Sequence, residues 1–180
     1  MDPFFSPADT SFPIGAVVLN NSETPALSLA DLPPIDAILL SHEDHPDNLD
    51  DLGPPRPGVL VAGGKEFSVT GTPCEHLPGG ECIGFIPSSD SFGSTDGLPS
   101  VIYFSGDTVY MEELVQIKEK YHVVVALLNL GAAVVHFPDG LLFWEIGAEV
   151  LVLMYFESWN HFTQGKTELK RRVCKETKVA

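Results

Sequence analysis

Basic residues are scarce in this chain. Lysine and arginine together number 10, against 25 aspartates and glutamates, and the formal net charge is −15 at pH 7. Nucleic acids and anionic membranes are bound through basic surfaces, so we expect neither as a partner. An acidic chain suits a protein that binds cations, although solubility explains the same charge equally well.

Long apolar runs are also missing. The longest ones, residues 123–128 and 150–156, are far shorter than the roughly 18–20 residues that a membrane-spanning helix needs. Residues 1–5 contain no basic region of the kind that opens a secretory signal. We therefore expect a cytoplasmic protein.

Cysteines are few, and their number is odd. Cys74, Cys82 and Cys174 lack the regular spacing of a disulfide framework, which favours a reducing compartment. Cys74 and His76 are two residues apart, so an extended segment would point them to opposite faces. A cysteine–histidine nucleophile pair is therefore not expected, and we predict that Cys74 and Cys82 are buried thiols.

The chain does contain enough apolar side chain for a core. With 180 residues, of which 44% are hydrophobic, it is expected to form one domain over residues 1–180. Apolar runs of strand length alternate with an amphipathic helix at residues 110–121, which predicts a mixed α/β fold built in layers. The predicted strands cover residues 35–40, 82–87, 101–105, 122–129 and 147–156, with a hairpin of residues 59–62 and 66–70 and a possible strand at 16–19.

Histidines and carboxylates follow the first predicted strand. Residues 35–40 are almost continuously apolar, which predicts a strand buried on both faces. His42, Asp44, His45 and Asp47 come directly after it. Imidazole and carboxylate on a loop at a strand end are typical of a zinc, manganese or iron site. The alternative is a solvated acidic turn with no ligand, but two histidines and an aspartate this close favour the metal site.

Polar groups also end three further strands, and together these segments resemble the metallo-β-lactamase superfamily. Within it, they are similar to the branch of the ascorbate-6-phosphate lactonases. The segments that carry the resemblance are LSHEDHPDNL at 40–49, TPCEHLPGG at 72–80, FSGDT at 104–108, ALLNLG at 126–131 and FESWNHF at 156–162.

The resemblance implies an αββα sandwich with a metal site at one edge of its sheets. It also implies metal ligands: His42 and His45 as the paired histidines of the first motif, with Asp47, His76 and Asp107. Asp107 matches the carboxylate that bridges two metals, and Asp47 could serve as a general base. Asp47 and Asp107 are therefore the predicted catalytic residues.

Several positions depart from the family pattern. Two residues separate the paired histidines, so Asp44 could compete as a ligand, and Asn48 lies where the family has another histidine. Tyr155 occupies the position of the last histidine ligand, and a phenol with a pKa of about 10 binds metal poorly. We therefore expect one divalent ion, zinc before manganese or iron, and not two. Glu157 is expected near the site with no role assigned, whereas His161 either lines the substrate pocket or only packs.

The resemblance implies a hydrolase that cleaves a small ester, lactone or phosphoester. A divalent ion with an open position lowers the pKa of its bound water toward about 7, which makes a nucleophile available at neutral pH. The alternative is a catalytically degenerate relative that binds metal weakly or acts only as an interaction module. Compared with the family, the chain is expected to be incomplete at its N-terminus, and we predict marginal stability or a homo-oligomer.

Overall fold

The computed structural model describes residues 4–14, 16–42, 64–76, 82–129, 142–163 and 165–167. It contains two sheets and a few short helices. The strands are β1 (Ser11–Ile14), β2 (Val17–Asn20), β3 (Ser68–Pro73), β4 (Ile83–Ser88), β5 (Ser94–Thr95), β6 (Leu98–Phe104), β7 (His122–Asn129) and β8 (Val150–Met154). The α-helices are α1 (Glu112–Val115), α2 (Ile117–Lys120) and α3 (Leu142–Glu145), and single 3-10 turns lie at Leu29–Asp31 and Asp90–Phe92. In the described part of the chain, no helix is of a length and hydropathy that would let it cross a membrane.

The larger sheet is mixed and has the strand order β3-β4-β6-β7-β8, with β5 pairing beside β6. β4 is antiparallel to both β3 and β6, whereas β6, β7 and β8 run parallel. The ends of β3, β6, β7 and β8 and the start of β4 therefore share one edge of the sheet. Side chains that follow or precede these strands at that edge are brought together although they are distant in sequence.

The core lies between this sheet and the short helices. Leu114 of α1 and Ile117 of α2 belong to the same buried cluster as Val101 of β6 and Val123 of β7. The helix predicted for residues 110–121 forms as two single turns that meet at Gln116. The apolar face was predicted correctly, because burial of that face depends on residue spacing and not on an unbroken helix.

Replacing Leu114 with alanine is expected to lower the free energy of unfolding by about 2–5 kcal/mol, because a buried leucine leaves a cavity. Leu114 is only 1% exposed, whereas Leu27 is 53% exposed. Leu27→Ala is the matched control and should change the stability by no more than about 0.5 kcal/mol. Urea unfolding followed by circular dichroism measures both variants, and equal losses would contradict this description of the core.

The smaller sheet is the β1–β2 hairpin, which is fastened to the segment after β8. The rings of Phe4 and Phe12 lie 5.0 and 5.7 Å from that of Trp159, which is itself buried. The backbone of Asn21 pairs with Trp159, and the Ser22 N–H donates to the carbonyl of Ser158 at 2.8 Å. Aromatic packing therefore holds the two parts together.

The mixed α/β fold is confirmed, but one predicted strand is wrong. Residues 35–40 form a loop outside both sheets, and Ile35 is 49% exposed. An apolar run becomes a strand only where a neighbouring strand offers a ladder of hydrogen bonds, and that partner cannot be read from the run itself. The Ile83 N–H donates to the Ser41 carbonyl at 3.1 Å, so the end of this loop still lies against β4. The rest of the predicted first motif, from residue 43 on, lies outside the described residues.

Candidate metal centre

Three side chains converge at the edge of the sheet where β3, β6 and β7 end. His42, His76 and Asp107 each offer one ligand atom, and these atoms all lie within 4.8 Å of one another. His42 comes from the loop beside β4, His76 follows β3, and Asp107 follows β6. The predicted meeting of strand-end residues is therefore observed for these three.

Hydrogen bonding fixes the orientation of His42, which is buried. Its Nδ1 lies 2.9 Å from Ser41 Oγ, and its Nε2 lies 3.8 Å from Asp107 Oδ2. If Nδ1–H donates to Ser41 Oγ, the neutral ring has its Nε2 lone pair on the side of the carboxylate. In a metal-binding histidine, a hydrogen bond made by the ring nitrogen that does not bind the metal commonly sets the tautomer. The ring of His76 meets that of His42 edge to face, with centroids 4.9 Å apart.

Two hydrogen bonds tie the segment that carries His76 to the loop that carries Asp107. The Glu75 N–H donates to Thr108 Oγ1 at 2.9 Å, and the Val109 N–H donates to the Glu75 carbonyl at 3.0 Å. Both bonds lie within two residues of a proposed ligand. They therefore hold His76 and Asp107 in register with each other.

Gly106 brings the loop of Asp107 close to the loop of His42. Its φ is +61°, a backbone conformation that side chains with a Cβ rarely adopt. A Cβ there would lie 2.9 Å from the carbonyl oxygen of Ile83 and 3.2 Å from Cβ of Ser41. The close approach of the loops that carry His42 and Asp107 therefore requires glycine at this position.

Asn129, the last residue of β7, positions Asp107. Its Nδ2 donates to Asp107 Oδ1 at 2.5 Å, and its own N–H donates to Ser105 Oγ at 3.3 Å. A carboxylate only accepts hydrogen bonds, so the amide must present its nitrogen to Asp107. Asn129 Oδ1 is buried and has no hydrogen-bond partner among the described residues. The bond to Oδ1 leaves Asp107 Oδ2 on the side of His42.

Asn129→Ala is expected to lower metal affinity by about 10–100-fold, because an unsupported ligand must be ordered when the ion binds. Asn20→Ala is the matched control, since the Asn20 side chain bonds Ser11 Oγ on the exposed β1–β2 hairpin. Zinc affinity can be measured by competition with a chromophoric chelator. Equal affinities in the two variants would remove Asn129 from the account of the site.

Cys74 and Cys82 lie beside the three proposed ligands. Cys82 Sγ is 3.7 Å from His42 Nδ1. Interaction with the Cys74 thiol, assisted by the His42 imidazole, lowers the pKa of Cys82 to about 5 against the effect of burial. The neighbouring Cys82 thiol, together with burial, raises the pKa of Cys74. The prediction of two buried thiols is wrong, because both are only partly buried at the open edge of the sheet.

Other predicted site residues lie elsewhere or outside the described chain. Glu157 and His161 do not belong to the group of three. Glu157 Oε1 accepts from the Lys166 N–H at 2.7 Å, and the ring of His161 lies 4.4 Å from that of Phe162. The Tyr155 ring stacks on Phe162 at 5.8 Å. The predicted residues that lie outside the described chain are Asp44, His45, Asp47 and Asn48.

The donor set of the centre matches the chemistry of a divalent metal site. Two imidazoles and one carboxylate are the ligands of catalytic zinc sites, which keep a further position open for water or substrate. Manganese and iron accept the same donors. Because these donors lie within reach of one another, His42, His76 and Asp107 fit the binding of a divalent metal ion.

Comparison with known proteins finds a similar fold in solved structures of hydrolases. No family model and no curated protein matches the chain. The solved structure of isothiocyanate hydrolase from Delia radicum gut bacteria matches it with a TM-score of 0.71 and 18% identity, over 97% of this chain and 84% of that one. Igni18, a metallo hydrolase from Ignicoccus hospitalis, matches with a TM-score of 0.62 and 20% identity, over 96% of this chain and 89% of Igni18. A possible metal-dependent hydrolase from Veillonella parvula matches with a TM-score of 0.64 and 16% identity, over 97% and 84%.

These similarities define the fold, and the predicted metallo-β-lactamase-like architecture is confirmed. The identities are too low to carry an activity from any of the three proteins to this chain. The narrower resemblance to ascorbate-6-phosphate lactonases stays a prediction.

The sequence did not reveal three of the residues that shape the centre. Ser41 adjoins His42, Asn129 ends β7, and Cys82 precedes β4. A signal existed for Asn129, because it ends an apolar strand next to the strand that precedes Asp107. Recognising the other two requires knowing that the loop of His42 lies against the start of β4, which is a tertiary contact.

Proposed function

We propose that this chain is a metal-dependent hydrolase that cleaves a small ester, lactone or phosphoester. The observation that carries the proposal is the convergence of His42, His76 and Asp107 on one point at the edge of the sheet. The similarity of the fold to a solved metallo hydrolase and to a possible metal-dependent hydrolase supports it. A small-molecule substrate and a cytoplasmic location are part of the proposal.

Each residue of the centre has a role that follows from its contacts. His42 would bind a metal ion through Nε2 while Ser41 holds its Nδ1, and Asp107 would bind through Oδ2 while Asn129 holds its Oδ1. His76 supplies the second imidazole from the more exposed side. A divalent ion bound here would polarise the scissile carbonyl or phosphoryl group and acidify a water molecule. His45 is a further proposed ligand, and Asp47 is the proposed general base.

We propose one ion per chain, zinc before manganese or iron. The described donors form one group of three, and Tyr155 stands where the family has its last histidine. The Tyr155 ring stacks on Phe162, and its φ is +53°. An aromatic side chain in such packing, with a phenol of high pKa, is a poor ligand for a second ion.

The proposal is tested by hydrolysis assays on panels of small esters, lactones and phosphoesters. Activity should fall by at least about 100-fold on chelation and return on addition of zinc or manganese. His76→Ala should abolish it. His122→Ala is the matched control, because His122 pairs with Glu149 at 2.9 Å on the other end of β7. Activity that survives both chelation and His76→Ala would overturn the proposal.

A catalytically degenerate metal binder is the second candidate, and Tyr155 is the observation that favours it. Under this alternative the chain binds metal weakly and hydrolyses none of the panel. Tyr155→His then decides between the two candidates. A gain in metal affinity and hydrolysis would indicate a competent scaffold, whereas a gain in neither would favour the degenerate form.

A further inference from the structure

Two cysteines face each other where the β3–β4 pair opens. The antiparallel register ends with Pro73 opposite Ile83, and the next pair in the same register is Cys74 and Cys82. Opposite residues in antiparallel strands have Cα atoms about 4.5–5.5 Å apart. Disulfides span Cα separations of about 4.4–6.8 Å, so residues that continue this register are within reach of a disulfide.

The surroundings of the pair allow reaction with a small molecule and connect it to the metal centre. Both side chains are partly exposed. Cys74 Sγ lies 3.2 Å from the Ser105 carbonyl oxygen, and Cys82 Sγ lies 3.5 Å from that of Asp107. Cys82 Sγ also lies 3.7 Å from His42 Nδ1. The two thiols therefore touch the loop that presents Asp107 and the ring of His42.

We propose that Cys74 and Cys82 form a site of reversible oxidation, which closes to a disulfide by exchange with a low-molecular-weight disulfide such as glutathione disulfide. One protein thiolate attacks the glutathione disulfide, forms a mixed disulfide and releases one glutathione thiolate. The other protein thiol, after losing its proton, attacks the mixed disulfide and releases the second glutathione. Two protein thiols are oxidised, and one glutathione disulfide is reduced to two glutathione molecules.

Closing the disulfide also weakens metal binding, a consequence that rests on the proposed function. The sulfur atoms of a disulfide are about 2.05 Å apart and carry no proton. The Cys82 sulfur must therefore shift toward Cys74, and the contacts with His42 Nδ1 and the two carbonyls change. Altering groups that support metal ligands lowers affinity by about 10–100-fold, so we expect a loss of at least tenfold on oxidation.

The oxidation site is tested on the full chain carrying Cys174→Ser, so that only the two thiols of interest remain. The protein is equilibrated in glutathione buffers of stepped redox ratio, quenched with acid, alkylated and weighed by mass spectrometry. Both thiols should disappear together in one transition, with a cross-link between the peptides of Cys74 and Cys82. Cys74→Ser and Cys82→Ser should each give only a mixed disulfide with glutathione. Thiols that stay alkylatable, or two separate glutathione adducts, would overturn the proposal.

The link to the metal is measured separately, as zinc affinity of the reduced and oxidised forms of the same protein. At least tenfold weaker binding by the oxidised form supports the link, and equal binding overturns it. Failure of the reduced form to bind zinc would refute the proposed function and the link, while the mass measurement would still decide the disulfide by itself.

Discussion

Replacing Asp107 with asparagine is expected to lower metal affinity and hydrolysis by more than about 100-fold. Replacing a residue that only hydrogen-bonds to a metal ligand already lowers metal affinity by about 10–100-fold, and Asp107 is itself a proposed ligand. The substitution keeps the shape of the side chain but removes its negative charge. Asp107 is the one carboxylate in the described group of three. In the wild type, the Asn129 amide donates to Asp107 Oδ1. In the variant, the same amide faces a second amide.

Asp90→Asn is the control for Asp107→Asn, since Asp90 lies in an exposed 3-10 turn away from the centre. Zinc competition and hydrolysis are measured for both variants, together with unfolding by urea. We expect Asp107→Asn to remain folded, because the volume of the side chain is unchanged. Wild-type affinity in Asp107→Asn would show that the ion, if bound, is held elsewhere.

Gly106→Ala is expected to damage both the fold and the centre. An alanine at φ +61° costs about 1–2 kcal/mol from the left-handed backbone alone. The added Cβ would lie 2.9 Å from the Ile83 carbonyl oxygen, and relieving such overpacking costs about 1–3 kcal/mol more. The relief must move the start of β4 or the loop of His42. We therefore expect metal affinity to fall by at least about tenfold.

The variant Gly97→Ala separates the cost of the left-handed backbone from the effects of the close approach at Gly106. Gly97 also has a positive φ, +80°, but a Cβ there would meet nothing within 4 Å. The free energy of unfolding of Gly97→Ala should fall only by the backbone contribution of about 1–2 kcal/mol, and its metal affinity should not change. The comparison is made by urea unfolding and zinc competition on both variants. Identical losses in stability and affinity would mean that the close approach at Gly106 is not needed.

The sheet was largely predictable because its central strands are nearly continuous apolar runs. His122–Asn129 was predicted with the observed bounds, and the strand at residues 101–105 corresponds to β6. Strands buried on both faces leave such a pattern whatever their neighbours are. Residues 35–40 show the same pattern without becoming a strand, because pairing depends on contacts that a single run does not encode.

The centre was predictable where strand ends carry the proposed ligands and unpredictable where tertiary contacts determine which residues meet. Asp107 follows β6 and His76 follows β3, and parallel strands bring such ends to one edge. The pairing of Cys74 with Cys82 depends on the register of β3 against β4. Spacing along the chain suggested two unrelated buried thiols, because it carries no information on which residues face each other across a hairpin.

The central claim is that this chain assembles one metal site from His42, His76 and Asp107. Elemental analysis of the freshly purified full chain tests it most directly, with His76→Ala and His122→Ala prepared in parallel. We expect about one zinc, manganese or iron ion per chain in the wild type and in His122→Ala, and almost none in His76→Ala. Absence of metal from the wild type, or equal metal in His76→Ala, would contradict the claim.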